Sequence, residues 1–489
     1  MLALPKPAHD VVFYHVVVQD LCKAIPSFPK MMANVVGHMF KQMGRMDCEA
    51  RERLADWMAH HLSCFDLAWP WKSWVHVAGK ADNHPQRAFC KSVIRRLCRL
   101  SYHERVRDSL PEELYCLLPH KPSLNPDYIH ETLNASSGAL HDLQAFMKSK
   151  TPADKVMEWL NDSGKLATLG HAAAARALTV AVLQHGQKCI THHNVLLKRY
   201  EPALRLLTAP HEGTNDDEGC EHVLVAAAAG VWSGTHPHMA VVAVSRLLEL
   251  GLCKPAAVAR WLVSAIEDEE AAGTTESGAS RGVAWGTADA WDIACLAVEG
   301  VMAVRENHNW RWQSFERKMK TAEEEAAAAA AAAMAAEQLG RHGEAQRAQA
   351  AEAAAVDRIA ELEKKAEAAR APLVDADADV ADCAGGMILA LVKALAPKLE
   401  AAAIAAASAP SGDAGKEAAP EPRDRRALAL CRAVLRRFRR QVGAAFEADV
   451  HEALEDTGVS REAAVAIGEA LSGRSSSLFK DALAAEMAE

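Results

Sequence analysis

Apolar residues recur along this chain with the three-and-four spacing of amphipathic helices, and no two-residue alternation of a half-buried strand persists anywhere. Leu54, Trp57, Met58, His61, Leu62 and Phe65 make one such stripe. Pro70 breaks the chain between Trp69 and Trp71. Beyond it Trp71, Trp74, Val75 and Ala78 share a face and predict a second helix. Two wide aromatic stripes with a short proline connection predict an antiparallel helix pair, the unit of a helical solenoid. The tryptophans read as inter-helix core. His61, on the apolar stripe, reads as a core histidine bonded to backbone and not as a metal ligand.

Helix starts are marked by Asp47, an N-cap, and by Ser101-x-x-Glu104, Ser109-x-x-Glu112 and Thr151-x-x-Asp154, read as capping boxes, with Pro111 in a first turn. Pro122, Asn125-Pro126 and Asn134-Ala135-Ser136-Ser137-Gly138 predict a connector. Trp159, Tyr200, Trp232, Trp261 and Trp291 mark successive later helices, with a turn at His236-Pro237-His238 and a long loop over residues 267–286. Trp312, Phe315, Met319, Ala322, Ala326, Ala329, Ala333 and Ala336 then form a heptad seam. Gly340 and Gly343 mark a tip, and Ala355, Ile359, Leu362, Ala366 and Ala369 return in the same rhythm, which predicts an antiparallel hairpin rooted at Trp310, Trp312, Phe315 and Met319. A disordered alanine-rich spacer is the alternative.

The expected fold is therefore all-α: HEAT-like, armadillo-type repeat domains with a projecting antiparallel helical hairpin. The expected boundaries are a repeat domain over residues 9–119, a connector over 120–150, and a second repeat domain over 151–309. The coiled hairpin spans 310–370, a returning helix 371–408, a disordered linker 409–422, and closing helices 423–489.

Composition narrows function mainly by exclusion. At 489 residues and net charge −9, the chain lacks the overall basic surface that binds phosphates directly. Twelve cysteines are scattered without a Cys-x-x-Cys pair, as expected of reduced thiols in cytosol or nucleus. No signal peptide or membrane span is expected, because Lys393, Pro397, Lys398 and Glu400 interrupt the most apolar late segment. Phosphate-loop, dinucleotide-binding, nucleophile-elbow and His-Glu-x-x-His patterns do not occur. His60-His61 and His192-His193 are adjacent, so each pair points about 100° apart on a helix and cannot readily chelate one ion. No cofactor, metal site or catalytic residue is expected. One local anomaly is basic: Arg425, Arg426, Arg432, Arg436, Arg437, Arg439 and Arg440 gather around Leu435 and Phe438. This is either a solvated face whose arginine stems cover apolar surface or a site for acidic protein or RNA phosphates. Asp375, Asp377 and Asp379 are its candidate partners within the chain.

Two blocks carry a resemblance. Asp56-Trp57-Met58-Ala59-His60-His61-Leu62-Ser63, running on to Phe65, Trp69, Trp71 and Trp74, and Cys98-Arg99-Leu100-Ser101-Tyr102-His103-Glu104-Arg105 together resemble the large subunit of the nuclear cap-binding complex. Leu21-Cys22-Lys23, Ala145-Phe146-Met147-Lys148-Ser149-Lys150, Val231-Trp232 and Ala256-Ala257-Val258-Ala259-Arg260-Trp261 are further landmarks. In that family three domains similar to the middle domain of initiation factor 4G lie in line. This chain looks like the second and third, without the first domain and its import tail. Trp57, His61, Trp69, Trp71, Trp74, Ser101, Tyr102 and His103 are the structural markers.

The resemblance implies a non-enzymatic scaffold. It would hold a small RRM-type partner that recognises the 7-methylguanosine cap, meeting capped RNA through that partner. Effector proteins of RNA processing would then link it to splicing, export and nonsense-mediated decay. It implies a nuclear protein that shuttles to the cytoplasm, although no import signal is visible here. The partner surface is expected in the cleft between the two domains, flanked by the connector, with Tyr128, Lys148 and Lys150 as candidates by position and Arg436, Arg437 and Arg440 of the basic segment as further candidates. The rival readings are a helical-repeat scaffold of translation initiation or RNA decay without a cap-binding partner, an enzyme with a site assembled in space, and a fragment without function.

Overall fold

The computed structural model describes residue 2 and residues 8–81, 84–121, 123–210, 219–233, 237–271 and 288–407. Among the described residues every regular element is a helix. Contacts divide the chain into two compact units: one takes in the described residues up to Cys295 and those from Met387, the other is Leu296–Gly386.

Within the first unit, α1 (Val11–Ala24) packs on α2 (Phe28–Lys41) and α3 (Cys48–Cys64), and α3 packs on α4 (Pro85–Leu100). The Asp47 side chain accepts from the Glu49 N–H at 3.0 Å, which satisfies one of the orphan donors at the start of α3. The stripe on α3 is core, with Leu54, Trp57, Met58 and Leu62 all buried. The partner of α3 is α4 and not the segment after Pro70 as expected. That segment, Trp71–Val77, is a 3₁₀ helix. Its three-residue turn aligns Trp71, Trp74 and Val77 on the buried edge and leaves Val75 half-exposed. Arg96 on α4 binds Glu52 at 2.9 Å and Asp56 at 3.4 Å on α3, and the Ser92 hydroxyl donates to Glu52 at 2.6 Å.

Three expected capping boxes do not form. Tyr102 sits at the N-cap of α5 (His103–Ser109), Pro111 precedes the 3₁₀ helix Glu112–Leu117, and Pro152 precedes α8 (Ala153–Asp162), all without a side-chain cap. The Ser109 hydroxyl turns back to the Val106 carbonyl instead.

Residues 120–150, expected as a connector, carry two helices that join the packing. They are α6 (Pro126–Ala135), capped by the Asn125 side chain, and α7 (Ala139–Ser149). Around them lie α9 (Lys165–Leu169), α10 (His171–Gly186), α11 (Ile190–Thr208), α12 (His222–Trp232), α13 (Pro237–Glu249) and α14 (Pro255–Ala271). The helix α10 is apolar nearly all round and is the hub, touching α6, α7, α9, α11 and α12. Pro237 and His238, expected in a turn, open α13, while His236 lies outside the described residues. Of the expected 267–286 loop, residues up to Ala271 continue α14 and residues 272–287 lie outside.

The second unit is the hairpin. The helices α15 (Ala288–Gln338) and α16 (His342–Ala407) meet at a turn where Gly340 takes φ +68°, a left-handed conformation that favours glycine. Glu325 pairs with Arg358, Gln349 donates to Glu337 at 2.7 Å, and Arg305 binds Asp377. Each mate on α16 lies nearer the tip as its partner on α15 does, so the arms are antiparallel. Ala322, Ala333, Ala336, Ala345, Ala355 and Ala366 are buried along the seam. Trp312, Phe315 and Met319 are half-buried, whereas Trp310, expected as a root, is 62% exposed. Asp377 is engaged by Arg305. The arginines 425–440 it was expected to serve lie outside the described residues.

Candidate functional site

The aromatic markers form one box. The Trp74 ring stacks on Phe40 at 5.2 Å and meets Trp71, Trp69 and Phe89 edge-on at 5.4, 5.8 and 5.9 Å. The Trp71 indole N–H donates to the Leu67 carbonyl at 3.2 Å, so the box is closed by its own chain. Trp57 stacks on His61 at 5.1 Å, and His61 lies 4.5 Å from Phe65 and 6.0 Å from His15 on α1. His61 is half-buried, and its Nδ1 has no hydrogen-bond partner, so the expected backbone bond is not made. Burial, with His15 nearby, pushes its pKa down to about 4. Its neutral ring serves as an aromatic spacer between α1 and α3.

The second marker block ties the surface together. Ser101 ends α4, Tyr102 is 63% exposed, and His103 Nε2 meets the Pro119 carbonyl at 2.9 Å. Arg105 binds Asp66 in the bend after α3, and Glu104 binds Lys121 at 2.6 Å. These markers hold the fold in place.

The three described partner candidates fall in two places. Tyr128 is buried in the core, its ring against Gly230 and its hydroxyl donating to the Ala226 carbonyl at 3.4 Å. Burial pushes its pKa up to about 12. Next to it Asn125 Nδ2 donates to Ser233 Oγ at 2.6 Å and the Asn125 N–H to the Val231 carbonyl at 2.8 Å, which fixes α6 on α12. Lys148 and Lys150 are exposed at the end of α7, where Lys150 takes the left-handed C-cap conformation at φ +59°. Arg436, Arg437 and Arg440 lie outside the described residues.

Around Lys148 the structure gathers cations that sequence reasoning missed. His185 in the last turn of α10 faces His192 in the first turn of α11, with ring centroids 5.7 Å apart. Burial lowers the His185 pKa, and His192, Lys188, Lys148 and Arg199 lower it further, so four cationic or basic groups surround one imidazole. Gln144 donates to Gln184 at 2.6 Å, which holds α7 to α10 one turn before Lys148 and Lys188. The one signal in the sequence was an absence of acids: residues 163–200 contain no Asp or Glu. This corner can hold an anionic group. Among the described residues no group of three or more His, Cys, Asp and Glu is placed to hold a metal ion, and no helix is long and apolar enough to cross a membrane.

Comparison with known proteins gives two matches to family models described as MIF4G like, over residues 1–112 and residues 135–442. Similar proteins include rice "Nuclear cap-binding protein subunit 1", 30% identical over 271 residues, which is 54% of this chain and 30% of that protein. The Arabidopsis thaliana protein of the same name is 27% identical over 272 residues, 54% of this chain and 31% of the relative. The human one is 28% identical over 276 residues, 54% of this chain and 34% of the relative. The matched stretch thus spans about a third of the length of these relatives.

Proposed function

The chain belongs to the MIF4G-like family, and from that premise we propose that it is a non-catalytic scaffold subunit of a nuclear cap-binding complex. The observation that carries this reading is the similarity, across just over half of the chain, to proteins named nuclear cap-binding protein subunit 1. In the proposed division of labour this chain holds a small RRM-type subunit, and that subunit reads the 7-methylguanosine cap. A chain of net charge −9 whose marker tryptophans Trp57, Trp71 and Trp74 are committed to the core suits holding a partner better than gripping RNA. Lys148 and Lys150 are the proposed contact residues, and Tyr128 serves them from within by fixing α6. Arg436, Arg437 and Arg440 are proposed from sequence alone. Repeat domains over residues 9–119 and 151–309 and a hairpin over 310–370 are proposed on the same footing, with α6 and α7 of residues 120–150 packed against the second. Roles in splicing, export and nonsense-mediated decay, and a nuclear site with shuttling to the cytoplasm, are proposed through effectors docked on the scaffold.

Co-expression with an RRM-type small subunit tests this. The pair should be retained on an immobilised 7-methylguanosine analogue and the chain alone should not. Retention of the isolated chain would reject the division of labour. A second reading, a scaffold of translation initiation or RNA decay, draws on the MIF4G-like fold itself. It would be favoured if the chain fails to bind the small subunit yet co-purifies with initiation or decay factors.

A further inference from the structure

The cations at the end of α7 and the α10–α11 turn form a patch around His185, beside an acid-free run of the sequence. Lys148, Lys150, Lys188 and Lys198 are exposed, and Arg199 is half-buried among them. Of the carboxylates between residues 142 and 201, Asp142 pairs with Lys165, Glu158 with Lys155 and Glu201 with Arg205, while Asp154 and Asp162 are exposed on α8. No Asp or Glu occurs between residues 163 and 200, although the chain as a whole carries net charge −9. Concentrated positive charge on an otherwise acidic molecule is repulsive within itself and is relieved by an anionic partner. Two aliphatic side chains of α11 are exposed beside these cations in the sequence, Ile190 at 52% and, one turn before Arg199, Val195 at 50%.

We propose that this corner docks a short acidic segment of a protein partner, whose carboxylates meet Lys148, Lys188 and Arg199 while its aliphatic side chains cover Ile190 and Val195. This rests on the scaffold reading above and gives the Lys148–Lys150 contact a ligand chemistry. A peptide fits better than RNA. The strongly exposed apolar residues here are aliphatic, and the rings present, His185 and His192, are half-buried and face each other, so bases gain little stacking. A long polyanion would also run onto the acidic remainder of the surface, whereas a short segment stays on the patch. A segment of mixed carboxylates and aliphatics matches both halves of the corner.

The test uses fluorescence anisotropy of the full chain with three labelled probes: a peptide of Asp, Glu, Leu and Ile, the same peptide with Ser for Leu and Ile, and oligouridine of equal charge. The first peptide should bind most tightly, and more weakly as salt rises. Lys148→Glu/Lys188→Glu/Arg199→Glu should weaken it by at least about ten-fold. Lys188→Glu/Lys198→Glu, at two exposed positions, guards against misfolding and should weaken it in the same direction. Ile190→Ser/Val195→Ser should abolish the preference over the serine peptide. Oligouridine binding as tightly as the first peptide, and lost in the same variants, would overturn the proposal in favour of RNA. So would the absence of peptide binding, or binding indifferent to the charge reversals. Cap retention with the small subunit is read separately: its failure while the peptide still binds rejects the scaffold reading, and the reverse rejects the acidic segment.

Discussion

Gly230 should be a position where alanine, the better helix former, destabilises the helix that receives it. Gly230 lies in α12, and a Cβ placed there would come within 2.6 Å of Tyr128 Cδ2 and closer still to Cε2 and Cζ. The Tyr128 ring has little room to yield. It is 7% exposed, and α6 is clamped beside it by Asn125 to Ser233 at 2.6 Å. Glycine to alanine in a helix interior ordinarily gains about 1 kcal/mol. Overpacking a fixed ring costs roughly 1–3 kcal/mol, and the close approach places this case at or above the upper end. The expected net loss is about 2 kcal/mol. In a Tyr128→Ala background, itself about 3–5 kcal/mol less stable, the same methyl enters a cavity and should gain about 1 kcal/mol. The two sites should therefore couple by roughly 3 kcal/mol. Hydrogen exchange on peptides from α6 and α12 is the suitable assay, because a chain of two compact units need not open in one step and exchange reports each helix. An increase in α12 protection on Gly230→Ala alone, or an effect of the same sign in both backgrounds, would refute the packing described here.

Further outcomes follow from the same geometry. His61 is held neutral, its pKa down at about 4 against 6.5 when exposed. The unfolded chain therefore takes up the proton first, and the contribution of His61 to stability is complete above pH 6.5 and lost as pH falls towards 4. Urea midpoints across that range should slope downwards with acid, and His61→Phe should flatten the slope. Lys150→Gly should relieve a left-handed backbone and stabilise α7 by roughly 0.5–1 kcal/mol, read as a rise in melting temperature. Ala322→Glu, at a fully buried seam position, should loosen the hairpin to limited proteolysis, whereas Ala327→Glu on its exposed face should not.

What the chain discloses before folding depends on how local the cause is. The heptad seam could be followed residue by residue through Ala322, Ala333, Ala355 and Ala366, because period and helix geometry alone determine it. Asp47 caps α3 as expected for the same reason. After Pro70 the pattern supported two periods at once: Trp71 and Trp74 fit both, and the choice between Val75 with Ala78 and Val77 is made by stacking Trp74 on Phe40. The serines and threonine of the expected capping boxes had the right spacing, but each helix starts one or two residues later than the motif implies. The cationic corner was hardest to foresee. It needs the ends of three helices to meet, and only the acid-free run from 163 to 200 foreshadowed it.

The alanine seam leaves the hairpin with an alignment problem that its packing cannot solve. One alanine layer is interchangeable with the next, so sliding α16 by a heptad, roughly 10 Å, would replace most seam contacts with equivalent ones. Alignment must come from what does not repeat: the Gly340 turn, the bulky trio Trp312, Phe315 and Met319, and the cross-arm pairs Glu325–Arg358 and Arg305–Asp377. These act as notches on an otherwise smooth slide. Equal insertions of seven residues in both arms should therefore lengthen the hairpin without disordering it, while one insertion in a single arm should set the two ends of the slide against each other.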